Sequence, residues 1–345
     1  EMAQPFNLCG YEVFSSASIG IALSTEGYTR AEDILRDADT AMYRAKALGK
    51  ARHEMFDREM HTQANEALTL ETDLRRAVER QEFVVHYQPI VELATGRISG
   101  FEALVRWQHP KHGLLSPAKF IPMAEETGLI VPIGEWILGE SCRQMRLWQE
   151  QFPTYPPLTI SVNLSGKQFA QAGSVKHIKQ VLHETNLDPR SLKLEIRESA
   201  VMENIETAAG MLKQLRALGV KLSMDDFGTG YSSLSYLNRF PISTLNIDRS
   251  FIKEMADQDE NAAIVRTIIM LAQTLEMDVV AEGIETEDQV TQLQALGCEF
   301  GQGYFFSEPI SRENATRFLS DTGRCVLNLP IYDDFEPLQF VTTVQ

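Results

Sequence analysis

Basic residues are scarce in this chain: 32 Lys and Arg stand against 48 Asp and Glu, a formal charge of -16 over 345 residues. Nucleic-acid polymers are held largely by cations that displace their counterions, so a general nucleic-acid binder is excluded. A small anionic ligand stays open, provided that cations come with it. Cysteine is scarcer still: Cys9, Cys142, Cys298 and Cys325 lie far apart with no C-x-x-C pair. That leaves neither a disulfide framework nor a zinc knuckle, and points to a reducing, cytoplasmic setting. No apolar run approaches the ~18 residues that a membrane span needs, and no signal-peptide pattern is present. The chain opens in mid-pattern on a glutamate, so it reads as part of a longer protein whose upstream regions are where any membrane anchor would lie.

What is there begins with "VFSSASIGIAL" at 13–23, a β-branched run read as one strand, followed by "AEDILRDADTAMYRAKALGK". In the latter Ile34, Leu35, Ala38, Met42, Ala45 and Leu48 recur at helical spacing, and Gly49 supplies the stop. Residues 58–81 carry Met60, Ala64, Leu68, Leu74 and Val78 on a charged background, the pattern of a connecting amphipathic helix. Strand candidates then follow at 83–91, 98–105, 158–164, 192–196, 220–224, 244–248, 278–281 and 303–306, most of them separated by helix-length amphipathic stretches. Eight strands in this rhythm predict a (β/α)8 barrel rather than an open sheet. The first two are joined only by "ELATGR", too short for a crossover, so they should pair antiparallel.

Barrel sites gather at the C-terminal strand ends. The polar residues there are Glu102, Asn163, Glu195, Asp225, Asp226, Asn246, Asp248, Glu282, Glu285 and Gln302. So many carboxylates aimed into one cleft cannot all ionise at neutral pH without counter-charge, and hard divalent cations such as Mg2+ or Mn2+ supply it. Two such ions held by adjacent aspartates suit phosphoester hydrolysis, and a strand ending between Asp225 and Asp226 would let both reach the cleft. An Asp-Asp pair alone is usually a solvated turn. Asp333 and Asp334 in "YDDFEP" fall outside the strand rhythm and are assigned to that. Gly228 and Gly230 lack the Gly-Lys-Ser/Thr of a phosphate loop and serve a tight turn. His109 and His112, spaced as zinc ligands but without others, are assigned to a surface loop.

Two resemblances follow from quoted motifs. "SIGIA" with "ADTAMYRAKALGK" resembles the C-terminal end of a GGDEF (diguanylate cyclase) domain over residues 1–57. The catalytic strands of such a domain would lie upstream. "YQPIV", "FEALVRW", "FIPMAEETGLI", "SVNLSGKQF", "DDFGTGYSSLSYL", "IDRSFI", "VVAEGIET" and "GQGYFFSEP" occur in the order found in the EAL domain of bacterial cyclic di-GMP phosphodiesterases. The resemblance implies an α/β fold, a TIM-like (β/α)8 barrel with one antiparallel strand over 82–322, preceded by the partial α+β GGDEF remnant and the connecting helix. The tail at 323–345 has no assigned role. It further implies hydrolysis of cyclic di-GMP to linear pGpG with Mg2+ or Mn2+, a homodimer, and sensory domains upstream of this chain. Glu102, Asn163, Glu195 and Asp225 match ligands of a first cation, and Asp225 with Asp226 those of a second. Glu282 matches the general base, Glu198 a loop anchor, and Gln88, Leu104, Arg106, Glu285 and Gln302 substrate or cleft contacts.

Two positions depart from the family pattern. Asn246 in "LNID" stands where a water-handling lysine is expected, and Arg197 in "EIRES" replaces a threonine that braces the loop after Asp226. Both spare the four ligands of the first cation, so the expectation is retained binding with slowed turnover. The alternative is a catalytically inactive cyclic di-GMP receptor, and a third reading is a dimerisation module with an unused cleft.

Overall fold

The computed structural model describes residues 6–8, 11–13, 16–24, 28–202, 205–228, 237, 239–255 and 259–321. Cys9, Gly230, Cys325, Asp333, Asp334 and the tail at 323–345 lie outside the described residues. The chain divides into two compact units, Glu1–Arg76 and Ala77–Gln345.

In the first unit the run at 13–23 is two short strands rather than one. Tyr11–Val13 pairs antiparallel with Phe6–Leu8, whereas Ile19–Ile21 pairs parallel with His53–Met55. The two halves have different partners, which a continuous apolar pattern does not reveal. The helix Ala31–Ala47 buries Ala41 and Ala45. It stops where Gly49 takes φ of 106°, a conformation that costs glycine little. The predicted connecting helix runs from Arg58 to Arg80 across the division between the units.

The second unit is a barrel of eight strands: β1 (Phe83–Glu92), β2 (Arg97–His109), β3 (Thr159–Leu164), β4 (Leu192–Arg197), β5 (Lys221–Phe227), β6 (Thr244–Ile247), β7 (Asp278–Ala281) and β8 (Phe300–Gly301). The short link between β1 and β2 forces the antiparallel hairpin, in register from Phe83 opposite Trp107 to Glu92 opposite Arg97. From β2 to β8 every pairing is parallel. β8 then pairs antiparallel with β1 and closes the ring.

The closing strand is therefore at 300–301 and not at the predicted 303–306. Gly303–Phe306 is a turn bound to the segment that follows β7, with Phe305 N donating to Ile284 O at 3.0 Å. A side chain at Gly303 would meet Ile284 O at 2.1 Å, so only glycine permits this approach.

His109 is also corrected. It is 3% exposed at the end of β2, where its Nδ1 accepts from the backbone N–H groups of Lys111 (3.1 Å) and His112 (3.3 Å). Its ring lies 4.8 Å from that of Trp107, which explains the burial, and only His112 stays exposed.

Parallel strands covered on both faces need apolar runs, and the helices supply the cover. Trp148, on the helix Ile130–Gln151, is fully buried against Tyr87 (4.8 Å) and Phe101 (5.0 Å), and its Nε1 donates to Thr316 Oγ1 at 2.8 Å. It ties β1, β2 and the last helix, Arg312–Asp321, to one point. Trp148→Ala should therefore destabilise the barrel by about 3 to 5 kcal/mol. Urea unfolding of the whole chain measures it, with a surface change such as Leu147→Ala as the comparison.

Candidate functional site

Inward-facing positions alternate along parallel strands, so residues two apart on neighbouring strands form stacked polar layers inside the ring. Asn163 is in register with Glu195, and Gln88 with Glu102. Asp225 is in register with Arg197. Glu282 follows β7 directly, and its backbone N–H donates to Ile247 O at 3.1 Å.

Amides hold these carboxylates together. Asn163 Nδ2 donates to Glu102 Oε1 at 2.7 Å, and Gln302 Nε2 donates to Glu102 Oε2. The same Gln302 nitrogen lies 2.9 Å from Gln88 Oε1, and Gln88 Nε2 donates to Ser307 O at 3.0 Å. Asn246 is 1% exposed. Its Nδ2 donates to Glu195 Oε1 (3.2 Å) and to Glu282 Oε1 (2.9 Å), while its Oδ1 accepts from Ser223 Oγ (2.7 Å).

Ser223 is a site residue that the strand-end survey missed. The alternation of Lys221, Ser223 and Asp225 along β5 is the signal that would have found it.

The strand does not end between Asp225 and Asp226, as the sequence suggested. β5 continues to Phe227, with a register shift against β6 between Met224 and Phe227, and Asp226 adopts φ of 55°. A bulge with one left-handed residue re-aims a side chain that strict alternation would send outward. Aspartate tolerates that conformation better than most residues. Beyond it Glu198, 4% exposed, accepts from Gly228 N at 3.4 Å. Arg197 Nε stands 3.5 Å from Asp226 Oδ2, with both side chains substantially exposed.

Leu104 lines a cavity of about 410 Å3 together with Asn163, Glu195, Arg197, Ile121 and Pro122. Arg106 is half-buried, and its Nη1 donates to Val105 O at 2.8 Å. Glu285 is exposed, and its backbone N–H donates to Gln289 Oε1 at 2.7 Å in the cap of the next helix. Asp248 caps the helix Arg249–Lys253 by accepting from Ser250 N at 2.9 Å.

Burial and mutual repulsion raise the acidic groups. Burial first, then the Asp225 charge, pushes Glu102 up to about 7; burial, Glu102 and Asp225 push Glu195 up to about 8. Glu282 keeps some exposure as a residue, but desolvation of its carboxyl and the charges of Asp225, Glu102 and Glu195 raise it well above the ordinary range. Asp225 is raised by burial and by Asp226. Burial also raises Asp226, against the pull of Arg197.

Among the described residues no three His, Cys, Asp or Glu side chains already stand as a cage for a cation. Amide N–H groups occupy the points between the carboxylates. The donor set itself fits a hard cation: the side chains offer oxygen ligands, several are anionic, and Arg106, Lys193 and Arg197 only partly offset their repulsion.

Residues 71–309 match the family model described as EAL domain, and residues 1–52 that described as diguanylate cyclase, GGDEF domain. The chain is 48% identical over 313 residues to the bifunctional diguanylate cyclase/cyclic di-GMP phosphodiesterase MucR of Pseudomonas aeruginosa, covering 90% of this chain and 45% of MucR. It is 40% identical over 306 residues to the cyclic di-GMP phosphodiesterase PdeR of Escherichia coli, covering 89% of this chain and 46% of PdeR. The chain thus spans less than half the length of these relatives. A solved PaMucR phosphodiesterase in complex with c-di-GMP has a TM-score of 0.69 at 49% identity, covering 72% of this chain and 99% of that one. The EAL enzyme Bd1971, in a form bound to cAMP and cyclic di-GMP, has a TM-score of 0.71 at 37% identity, covering 74% and 70%.

The raised carboxyls fix the pH dependence of stability. Glu102 and Glu195 keep their protons in the folded chain up to about 7 and about 8, whereas the unfolded chain releases them near 4.5. The folded state then binds more protons, so the contribution is present at low pH and is lost as pH rises through those values. In chelator, the melting temperature should fall between about pH 5 and about pH 8, and Glu195→Gln should flatten the slope. Differential scanning calorimetry across that range is the check.

Proposed function

Because the chain belongs to the EAL domain family, we propose that its barrel mouth hydrolyses one phosphodiester bond of cyclic di-GMP to linear pGpG, with Mg2+ or Mn2+. The observation that carries this is the convergence of Glu102, Glu195, Asp225 and Glu282, whose charges act on one another inside the mouth. The cavity lined by Leu104 opens beside them. In this reading Glu102, Asn163, Glu195 and Asp225 hold a first cation, and Asp225 with Asp226 a second. Asn163 must then present its amide oxygen in place of the N–H it now gives to Glu102. A bound divalent ion polarises a phosphoryl oxygen and makes water more acidic.

The chain's own residues do the rest. Glu282 takes a proton from water as the water oxygen bonds to phosphorus and the bond to the 3′ oxygen breaks, and that proton is then returned to the departing oxygen. A carboxyl raised above the ordinary carboxylate range holds such a proton more readily. Gln302, itself held by Gln88, fixes the Glu102 carboxylate. Arg106 offers a guanidinium to a phosphate oxygen, Leu104 and Glu285 line the substrate's path, and Glu198 anchors the loop after Asp226.

Two residues slow this reaction. Asn246 fastens Glu282 and Glu195 with a neutral amide where the family's lysine would bring charge. Arg197 stabilises Asp226 as a cation would, and so competes with the second ion. In the same reading residues 1–57, 58–81, 82–322 and 323–345 are the GGDEF remnant, the connecting helix, the EAL barrel and the tail. The homodimer, the cytoplasmic location and the upstream sensory regions belong to the longer protein.

Following pGpG with purified chain in Mg2+ and in Mn2+ tests the reaction. Glu282→Gln should cut turnover by about 10² to 10⁴ while cyclic di-GMP still binds. Tight binding by the unmodified chain with no product would favour the receptor alternative. Asn246→Lys should raise turnover by about 10², the worth of one preorganised electrostatic contact; no gain removes the role assigned to that position. Arg197→Thr should tighten the weaker of two Mn2+ binding steps by about two- to fivefold, consistent with one exposed charge pair. Calorimetric titration of the ion reads that directly, without reference to activity.

A further inference from the structure

At the opposite end of the barrel lies a cavity of about 700 Å3 that the proposed reaction does not use. Lys193, Lys221 and Asp278, at the N-terminal starts of β4, β5 and β7, line it. Arg97 opens β2, and Arg190 sits in the short turn Pro189–Ser191 before β4.

Lys193 is 6% exposed; no described residue hydrogen-bonds its ammonium, and only the fields of Glu195 and Asp278 favour its charge against burial. A buried ammonium without partners is costly. Its register partner on one side is Lys221, a like charge. On the other side it is Ser161, whose Oγ is buried without a hydrogen-bond partner. Thr244 Oγ1, on the register partner of Asp278, is also buried and unpaired.

Carboxylates do not balance these cations. Arg190 and Asp188 satisfy each other, with Nε to Oδ1 at 3.1 Å and Nη2 to Oδ2 at 2.6 Å. Glu92 and Asp278 then face Arg97, Lys193 and Lys221 around the cavity. Among the lining residues one positive charge is in excess, with Glu195 further along β4 also acting on Lys193.

We propose that this floor cavity binds a small phosphate-bearing anion, gripped by Lys193 and Lys221 with Arg97 beside them. Several donors approaching from different strands suit a tetrahedral group with multiple oxygens better than one planar carboxylate. The volume exceeds what orthophosphate fills. A phosphomonoester carrying a further group, of nucleoside monophosphate size, is therefore the better occupant. Tyr155, 91% exposed, lines the same cavity.

The proposal is independent of the hydrolytic reading and is tested without a divalent ion. Calorimetry on the whole chain in EDTA, at chloride-matched ionic strength, titrates orthophosphate and GMP separately. EDTA removes divalent ions from the acidic mouth, so that only Arg106 and the Asp226-paired Arg197 are left there to meet a phosphate, against the repulsion of the carboxylates. The expected result is saturable one-to-one binding of GMP, tighter than orthophosphate. It should weaken by about tenfold in Lys221→Gln, the loss of one charged hydrogen bond, and stay unchanged in Asp226→Asn at the far mouth. Equal affinity for the two probes keeps the site and makes free phosphate its occupant. Lys193→Met repeats the test at the buried lysine; should it not fold, Arg97→Gln on the exposed side replaces it. No saturable heat from either probe, an unchanged affinity in Lys221→Gln, or a loss in Asp226→Asn overturns the proposal.

Discussion

Carboxylates that cannot escape one another are the constraint on which the barrel mouth depends. Glu102, Glu195, Asp225 and Glu282 are delivered by separate strands, desolvated together, and raised by one another's charge. Hydrogen bonds from neutral amides meet part of that cost. Asn246 gives its Nδ2 to both Glu195 and Glu282 and receives Ser223 on its oxygen, so it is satisfied on both sides of the amide. An amide distributes two carboxylates but cannot cancel their charge. A proton or a cation must do the remainder, and which one does it depends on pH and on the ions present.

The reversed first strand makes that convergence possible. β1 is antiparallel to both of its neighbours, β2 and β8, so it closes the ring while joining two strands that otherwise run in the common direction. Closure leaves no unpaired edge within the ring. It also sets Gln88 opposite Glu102 and brings Gln302, just past β8, onto both. The same closing strand, of two residues, fixes the side of the mouth where Glu102 stands.

The barrel was legible because its strands are apolar runs with β-branched residues, and because four residues between β1 and β2 admit nothing but a hairpin. Its last strand was not. Phe300–Gly301 is too short to show a period, and the aromatic run after it imitates a strand although Gly303 pins it as a turn. The adjacency of Asp225 and Asp226 flagged the site, but the bulge and the positive φ that aim them depend on the pairing with β6. His109 looked like a loop residue because its burial comes from Trp107, two positions back on the same strand face. The pairing of Arg197 with Asp226 was foreseeable only as a cation near a carboxylate; its partner among several acids required coordinates.

β4 shows how these features belong together. Lys193, Glu195 and Arg197 alternate along it, so their side chains share the inner face at intervals of roughly 7 Å. Lys193 lines the floor cavity, while Glu195 and Arg197 line the one at the mouth. The axis of the barrel therefore carries positive charge below the acidic layer and again at its rim. Each flanking cation draws on the field of the buried carboxylates, although neither shares a hydrogen bond with Glu195.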